Sequence, residues 1–137
     1  MRNIYVLFLL FLCACQQTKQ KDPPKIYIAN YKDAELTQVQ FEPSGFQFDT
    51  LKAGDTLVGD FLIKNVGKND LKIDTITKAC SCTNLQFASK IIPIGRSMKV
   101  FFSIHPASKK EYYVTPLVFY FNTKPFYRQF IIEGYIR

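Results

Sequence analysis

The side chains with chemistry to offer are few: four cysteines, one histidine, and a wealth of aromatics, 13 Phe and 8 Tyr with no Trp. Cys80 and Cys82 flank Ser81. In an extended strand, residues two apart lie about 6.6 Å from one another and face the same way. A disulfide needs Cβ atoms about 3.5–4.5 Å apart, so a bridge requires the chain to bend at Ser81. Three uses of this possible thiol pair stay open. It is structural, as buried thiols or as a local bridge in an oxidising compartment. It holds a soft metal ion through two thiolates. Or it exchanges thiol and disulfide. The metal reading is short of ligands, because His105 and Met98 are the only other soft donors once a leader is removed. The redox reading lacks the Cys-x-x-Cys spacing at a helix start that lowers a thiol pKa.

Nothing else points to catalysis. His105 stands alone beside Pro106 and reads as a surface or capping histidine. There is no Gly-rich phosphate loop, no His-Glu-x-x-His and no Gly-x-Ser-x-Gly. Asp49, Asp55, Asp60, Asp70 and Asp74 fall at expected turns or outward positions, where carboxylates are solvated. The expectation is a protein that is not an enzyme, with no cofactor, no metal and no small-molecule substrate. Among the aromatics, Tyr112, Tyr113, Tyr120, Phe126 and Tyr127 read mainly as core or cross-strand packing. Phe126 and Tyr127, with Lys124 and Arg128 around the Asn122–Pro125 turn, form a candidate contact patch.

The N-terminus carries the most specific signal. Arg2 precedes an unbroken apolar run, Ile4 to Ala14. A spanning helix needs about 20 residues, and this run has the length of a signal-peptide core. It ends in Leu12-Cys13-Ala14-Cys15, which resembles the bacterial lipobox: a branched apolar residue, a tolerant position, a small residue, then the acceptor cysteine. The resemblance implies cleavage before Cys15 and acylation of its thiol and amine with fatty chains such as palmitate. At about 0.8 kcal/mol per buried CH₂, two or three chains hold a protein to a membrane where one does not. Residues 1–14 are thus expected to be a signal peptide. Residues 15–36 are expected to be a lipidated cysteine followed by a tether, since Gln16 to Lys25 is polar and closed by Pro23-Pro24. Residues 26–36 also allow a docked first strand.

The segment 37–137 is long enough for one small domain. It shows short apolar runs at period two, broken by turn residues, and no long helical period. Expected strands are Gln38–Glu42, Gly45–Phe48, Thr56–Lys64, Leu71–Thr77, Thr83–Phe87, Met98–Ile104, Tyr113–Phe121 and Tyr127–Tyr135. Met98, Val100, Phe102 and Ile104 share one face; Phe130, Ile132 and Ile136 share another; Leu57, Phe61 and Ile63 align. The phase break after Ile73 predicts a bulge near Thr75. Asn65-Val66-Gly67-Lys68-Asn69-Asp70 reads as a turn using residues tolerant of positive φ, so that Ile63 and Leu71 begin opposing strands. This is an all-β reading: an immunoglobulin-like sandwich of seven or eight short antiparallel strands.

The order of these features resembles the bacterial envelope family known as domain of unknown function 1573, common among Bacteroidetes lipoproteins. The resemblance rests on Phe46-Gln47-Phe48-Asp49-Thr50-Leu51, Phe61-Leu62-Ile63-Lys64-Asn65-Val66-Gly67, Cys80-Ser81-Cys82-Thr83, Ile92-Pro93-Ile94-Gly95 and Ile131-Ile132-Glu133-Gly134-Tyr135-Ile136. Ser81 and the extra Ile94 depart from the family pattern within loops. The resemblance implies an immunoglobulin-like domain in a bacterial envelope and brings no reaction with it. The formal charge is +7, and +6 once Arg2 leaves with the leader, which suits an anionic membrane face or simple solubility. The expectation is a non-catalytic, lipid-anchored interaction or scaffold module. Its partners are the membrane and an envelope protein, with no nucleic acid. The residues after Cys15 lack the acidic run that resembles a surface-export signal, which favours the outer membrane with the domain facing the periplasm. The alternative is a thiol-redox or soft-metal protein using Cys80 and Cys82.

Overall fold

The computed structural model describes residues 29–106 and 112–137; the expected signal peptide and Cys15 lie outside the described residues. Nine strands follow a short 3-10 turn at Asp33–Glu35. They are β1 Val39–Glu42, β2 Gly45–Leu51, β3 Leu57–Asn65, β4 Leu71–Lys78 and β5 Thr83–Phe87. Next come β6 Ile91–Ile92, β7 Ser97–Ile104, β8 Tyr113–Phe121 and β9 Tyr127–Ile136. They form a four-stranded sheet, β1-β3-β7-β5, and a five-stranded sheet, β2-β9-β8-β4-β6.

The inward faces follow the alternation in the sequence. Met98, Val100, Phe102 and Ile104 are all buried, as are Phe61, Ile63, Phe130, Ile132 and Ile136. Between the sheets lies a phenylalanine cluster. Phe61 on β3 stacks on Phe130 of β9 with centroids 3.9 Å apart, and Phe41 meets Phe61, Phe119 and Phe130 edge-on. Each ring so buried contributes about 1.5–3 kcal/mol by leaving water. The contacts of Phe41 and Phe61 with Phe119 and Phe130 cross from one sheet to the other and close the sandwich. The bulge expected near Thr75 is present as a register shift between Ile73 and Thr75.

Four features differ from the sequence expectation. First, β2 pairs with β9 in parallel, Gly45 opposite Ile131, so the strands are not all antiparallel. The cause is a sheet switch: β1 pairs with β3, and after Pro43-Ser44 the chain joins the other sheet as β2. Second, β3 and β4 do not form a hairpin; the Val66–Asp70 connection crosses between sheets. Gly67 is there for room and not for positive φ, because a Cβ would overlap Thr37 Oγ1 and Gln38 N. Third, β6 is a two-residue strand, too short to show a period. Fourth, Asp74 is not solvated. It is half-buried and accepts a hydrogen bond from the Tyr31 hydroxyl.

Tyr31 belongs to the segment read either as tether or as a docked first strand. Residues 29–36 lie docked against one end of the sandwich, without forming a strand, held by asparagine side chains. Asn69 Nδ2 donates to Ala34 O at 2.9 Å and to Leu36 O at 2.8 Å. Asn122 Nδ2 donates to Glu35 O at 2.8 Å and Asp70 O at 2.9 Å, while its Oδ1 accepts from Lys72 N at 2.7 Å. Asn65 Oδ1 accepts from Thr37 Oγ1 at 2.9 Å, and its Nδ2 donates to Asn69 O and Ile92 O. The folded unit therefore begins before residue 37. Burial, together with the bond to Asp74, pushes the Tyr31 phenol well up from its ordinary range.

Candidate functional site

Cys80 and Cys82 are joined by a disulfide, with Cα atoms 5.1 Å apart. The chain turns at Ser81-Cys82 between β4 and β5, and Thr83 N donates to Cys80 O at 3.3 Å. No non-glycine residue among those described has positive φ, so the bend at Ser81 requires no glycine. The bridge sits half-buried, with Cys82 packed on the edge of the core and its carbonyl accepting from His105 N at 3.1 Å. His105 is exposed, and its Nδ1 lies 3.2 Å from Thr56 Oγ1. Bridged cysteines present no thiolate to a soft metal, and no cluster of three or more potential ligands exists among the described residues.

The aromatics divide by strand phase. Tyr113 is buried, Tyr120 is half-buried, and Tyr112, Phe126 and Tyr127 are about half exposed. Phe126 and Tyr127 are thus surface residues and not core. The Arg128 guanidinium is spent locally: Nη1 donates to Pro125 O at 3.1 Å and Tyr127 O at 2.9 Å, stiffening the hairpin. Phe126 lines a hollow of about 420 Å³ with Tyr31, Leu36 and Lys124. Tyr127 instead begins a longer surface that sequence reasoning did not assemble.

That surface is the outward face of β8 and β9. Across it, Val114 opposes Glu133, Pro116 opposes Ile131, Val118 opposes Gln129 and Tyr120 opposes Tyr127. Tyr135 extends the row, its ring 5.3 Å from that of Tyr112. Val114, Tyr127 and Tyr135 are 45–49% exposed, and Thr75 and Thr77 of β4 continue the surface beyond Tyr120 and Val118. Among these nine outward residues of β8 and β9, Glu133 carries the only formal charge, although the chain holds 18 Lys and Arg. Glu133 is fixed by Gln47 Nε2 and the Tyr112 hydroxyl, each at 2.8 Å. The Gln47 bond first, then that from Tyr112, holds its carboxyl below the usual range, and the same bond to Glu133 raises the Tyr112 phenol. The signal in the sequence was the phase opposite to Phe130 and Ile132, filled by Tyr and aliphatic residues where a water-facing strand places Lys and Glu.

Solved structures share this architecture. A protein of unknown function from Porphyromonas gingivalis W83 superposes with a TM-score of 0.66 at 15% identity, covering 77% of this chain. The chain spans 49% of that protein's length. The PapD-like domain 7 of human CEP192, an ASH / PapD-like domain, gives a TM-score of 0.61 at 13% identity, covering 84% of this chain and 96% of that domain. The secreted serine protease VesC of Vibrio cholerae matches at a TM-score of 0.52 and 11% identity, over 66% of this chain and 21% of its own. At these identities the likeness is one of fold, an immunoglobulin-like sandwich. No curated protein matches the sequence. The family of proteins of unknown function DUF1573 matches residues 39–136, from the first residue of β1 to the last of β9, and the chain belongs to that family.

Proposed function

We propose that this protein is a lipid-anchored, non-catalytic docking module of a bacterial cell envelope. Cys15 holds it on the membrane, residues 16–28 tether it, and the outer face of β8 and β9 binds an envelope protein. The anchor rests on the Leu12-Cys13-Ala14-Cys15 sequence behind a short apolar run. The docking role rests on one observation: a face from which Lys and Arg are absent while Tyr, Val, Ile and Pro fill it. That is the composition of an interface centre, where tyrosine is enriched and lysine depleted. The lack of an acidic run after Cys15 favours the periplasmic side of the outer membrane.

A photo-cross-linking residue at position 118 of the full chain, expressed in cells, tests the face. It is expected to capture a discrete protein, and the same probe at Gln40 on the other sheet is not. Ile131→Lys should abolish capture without moving the melting temperature. Equal capture from both positions, or none at 118, contradicts the docking face. Cys15→Ala should release the protein from the membrane fraction; continued membrane association contradicts the anchor. A second reading, thiol–disulfide exchange, is favoured by the presence of a Cys80–Cys82 bridge that is only half-buried, and a thiol-exchange assay against glutathione separates it from docking.

A further inference from the structure

The opposite sheet, β1-β3-β7-β5, presents a different chemistry. On its outward face Phe101 of β7 stands 51% exposed at the centre of the sheet, directly across from Gln86 of β5. Two hollows meet at this pair. One, of about 510 Å³, is lined by Val58, Asn84 and Ser103; the other, of about 500 Å³, by Ala88, Ser97 and Lys99; both include Gln86 and Phe101. We propose that this trough is a binding site for an uncharged oligosaccharide lying across Phe101, independent of the docking face on the other sheet.

Three observations converge on that ligand class. The first is the exposed ring, over which the flexible Lys99 side chain places Nζ 5.6 Å from the centroid, a contact that a sugar face would replace. The C–H bonds on one face of a pyranose carry slight positive charge and pack on the negative face of an aromatic ring. The second is the kind of polar group beside it. Asn84 and Gln86 offer planar amides and Ser103 a hydroxyl, and no side-chain hydrogen bond to the described residues ties them down. An amide supplies two donors and two acceptor sites, which matches the adjacent donor–acceptor hydroxyls of a sugar. The third is charge. The chain is strongly basic, yet here Lys99 is offset by Asp60, with Nζ 3.4 Å from Oδ2, and the remaining groups are neutral. A trough without net charge in a basic protein suits neither a phosphate nor a carboxylate ligand. Because the two hollows continue past both sides of Phe101, a linear chain fits better than a single sugar.

The test is calorimetric titration of the full chain, kept in a detergent without a sugar headgroup, with cellohexaose, maltohexaose, xylohexaose and the fully N-acetylated chitohexaose. At least one should bind at millimolar concentration or tighter, with little dependence on salt because no ion pair forms. Phe101→Ala should weaken it by about tenfold or more, the change that follows from losing one stacking contact. Phe101→Tyr should retain binding, and Gln86→Ala should weaken it. Phe101 is on the surface, so unchanged melting curves separate lost binding from lost folding. Ile131→Lys on the other sheet should leave sugar binding intact, which keeps failure of this site distinct from failure of the docking face. Absence of binding by all four sugars, or an unchanged affinity in Phe101→Ala, overturns the proposal. So does Phe101-dependent capture of an extended polypeptide in place of sugar.

Discussion

Asn122 is the residue whose removal should be felt furthest from its own position. It is 1% exposed, and its amide joins three pieces of chain that are distant in sequence. Nδ2 reaches Glu35 O and Asp70 O, and Oδ1 receives Lys72 N. Asn122→Ala deletes all three bonds and puts nothing in their place. A hydrogen bond of this kind contributes about 0.5–1.5 kcal/mol net, and a partner left dry adds to the loss. Glu35 and Asp70 are exposed and their carbonyls can find water, whereas the Lys72 amide is half-buried. The expected loss is therefore about 3 kcal/mol, a large share of the roughly 5–15 kcal/mol that holds a small domain together. For a domain near 100 residues that is a fall in melting temperature of about 12–24 °C. Urea unfolding should show a lower midpoint at an unchanged slope, and amide exchange should quicken at Lys72 and Thr37. Asn122→Asp gives a sharper variant. Its ionised carboxylate keeps the bond from Lys72 but faces two carbonyls without a donor, so its pKa is raised in the folded state. Its stability should then improve as the pH falls and the acid protonates. A loss below about 1 kcal/mol in Asn122→Ala would refute the view that this amide fastens the N-terminal segment.

Other outcomes follow from the same structure. Gly67→Ala places a methyl group against Thr37 Oγ1 and the Gln38 backbone, and should cost about 1–3 kcal/mol by overpacking, read from chemical unfolding. The Tyr31 phenol is raised above its ordinary 10.0, by burial first and the Asp74 bond second. Its stabilising effect is complete below pH 10 and disappears as the pH climbs toward the folded value. Ultraviolet titration should show Tyr31 and Tyr112 ionising after the other described tyrosines, Tyr31 last, and Tyr31→Phe should erase the last step. Replacing both Cys80 and Cys82 by serine opens a loop of only a few residues, so chain entropy predicts a loss of about 1.5 kcal/mol or less. A larger loss in thermal unfolding means that the bridge organises the β4–β5 turn beyond simple closure.

How much of this was legible beforehand depended on which physical signal each residue gave. Period-two burial was written plainly in β7 and β9, because Met98, Val100, Phe102 and Ile104 of the one and Phe130, Ile132 and Ile136 of the other are large, apolar and in phase. The bulge near Thr75 could be found because a phase slip shows in any alternating run. The sheet switch at Pro43-Ser44 could not, since a turn looks the same whether the next strand pairs with the last one or crosses to the other sheet. The Asn65–Asp70 turn misled for that reason: its Gly and Asn residues were credited with backbone freedom, when Gly67 supplies space and Asn65 and Asn69 supply hydrogen bonds. Asn65 did leave a trace, falling in phase with buried Phe61 and Ile63 as a polar residue at an inward position. The two outer faces stayed hidden because each is assembled from strands far apart in sequence. Val118 meets Gln129, and Phe101 meets Gln86, only once the register is known.

The parallel pairing of β2 with β9 has a mechanical consequence. Once the N-terminal segment and β1 have been drawn off, tension through the domain pulls on the start of β2 and the end of β9, which lie at opposite ends of one ladder. Such a load slides the two strands along one another and strains all their rungs together, whereas neighbours running in opposite directions would peel apart rung by rung. The first strand to leave the opposing sheet thus becomes a latch, and the unit resists stretching along its length better than its modest size suggests.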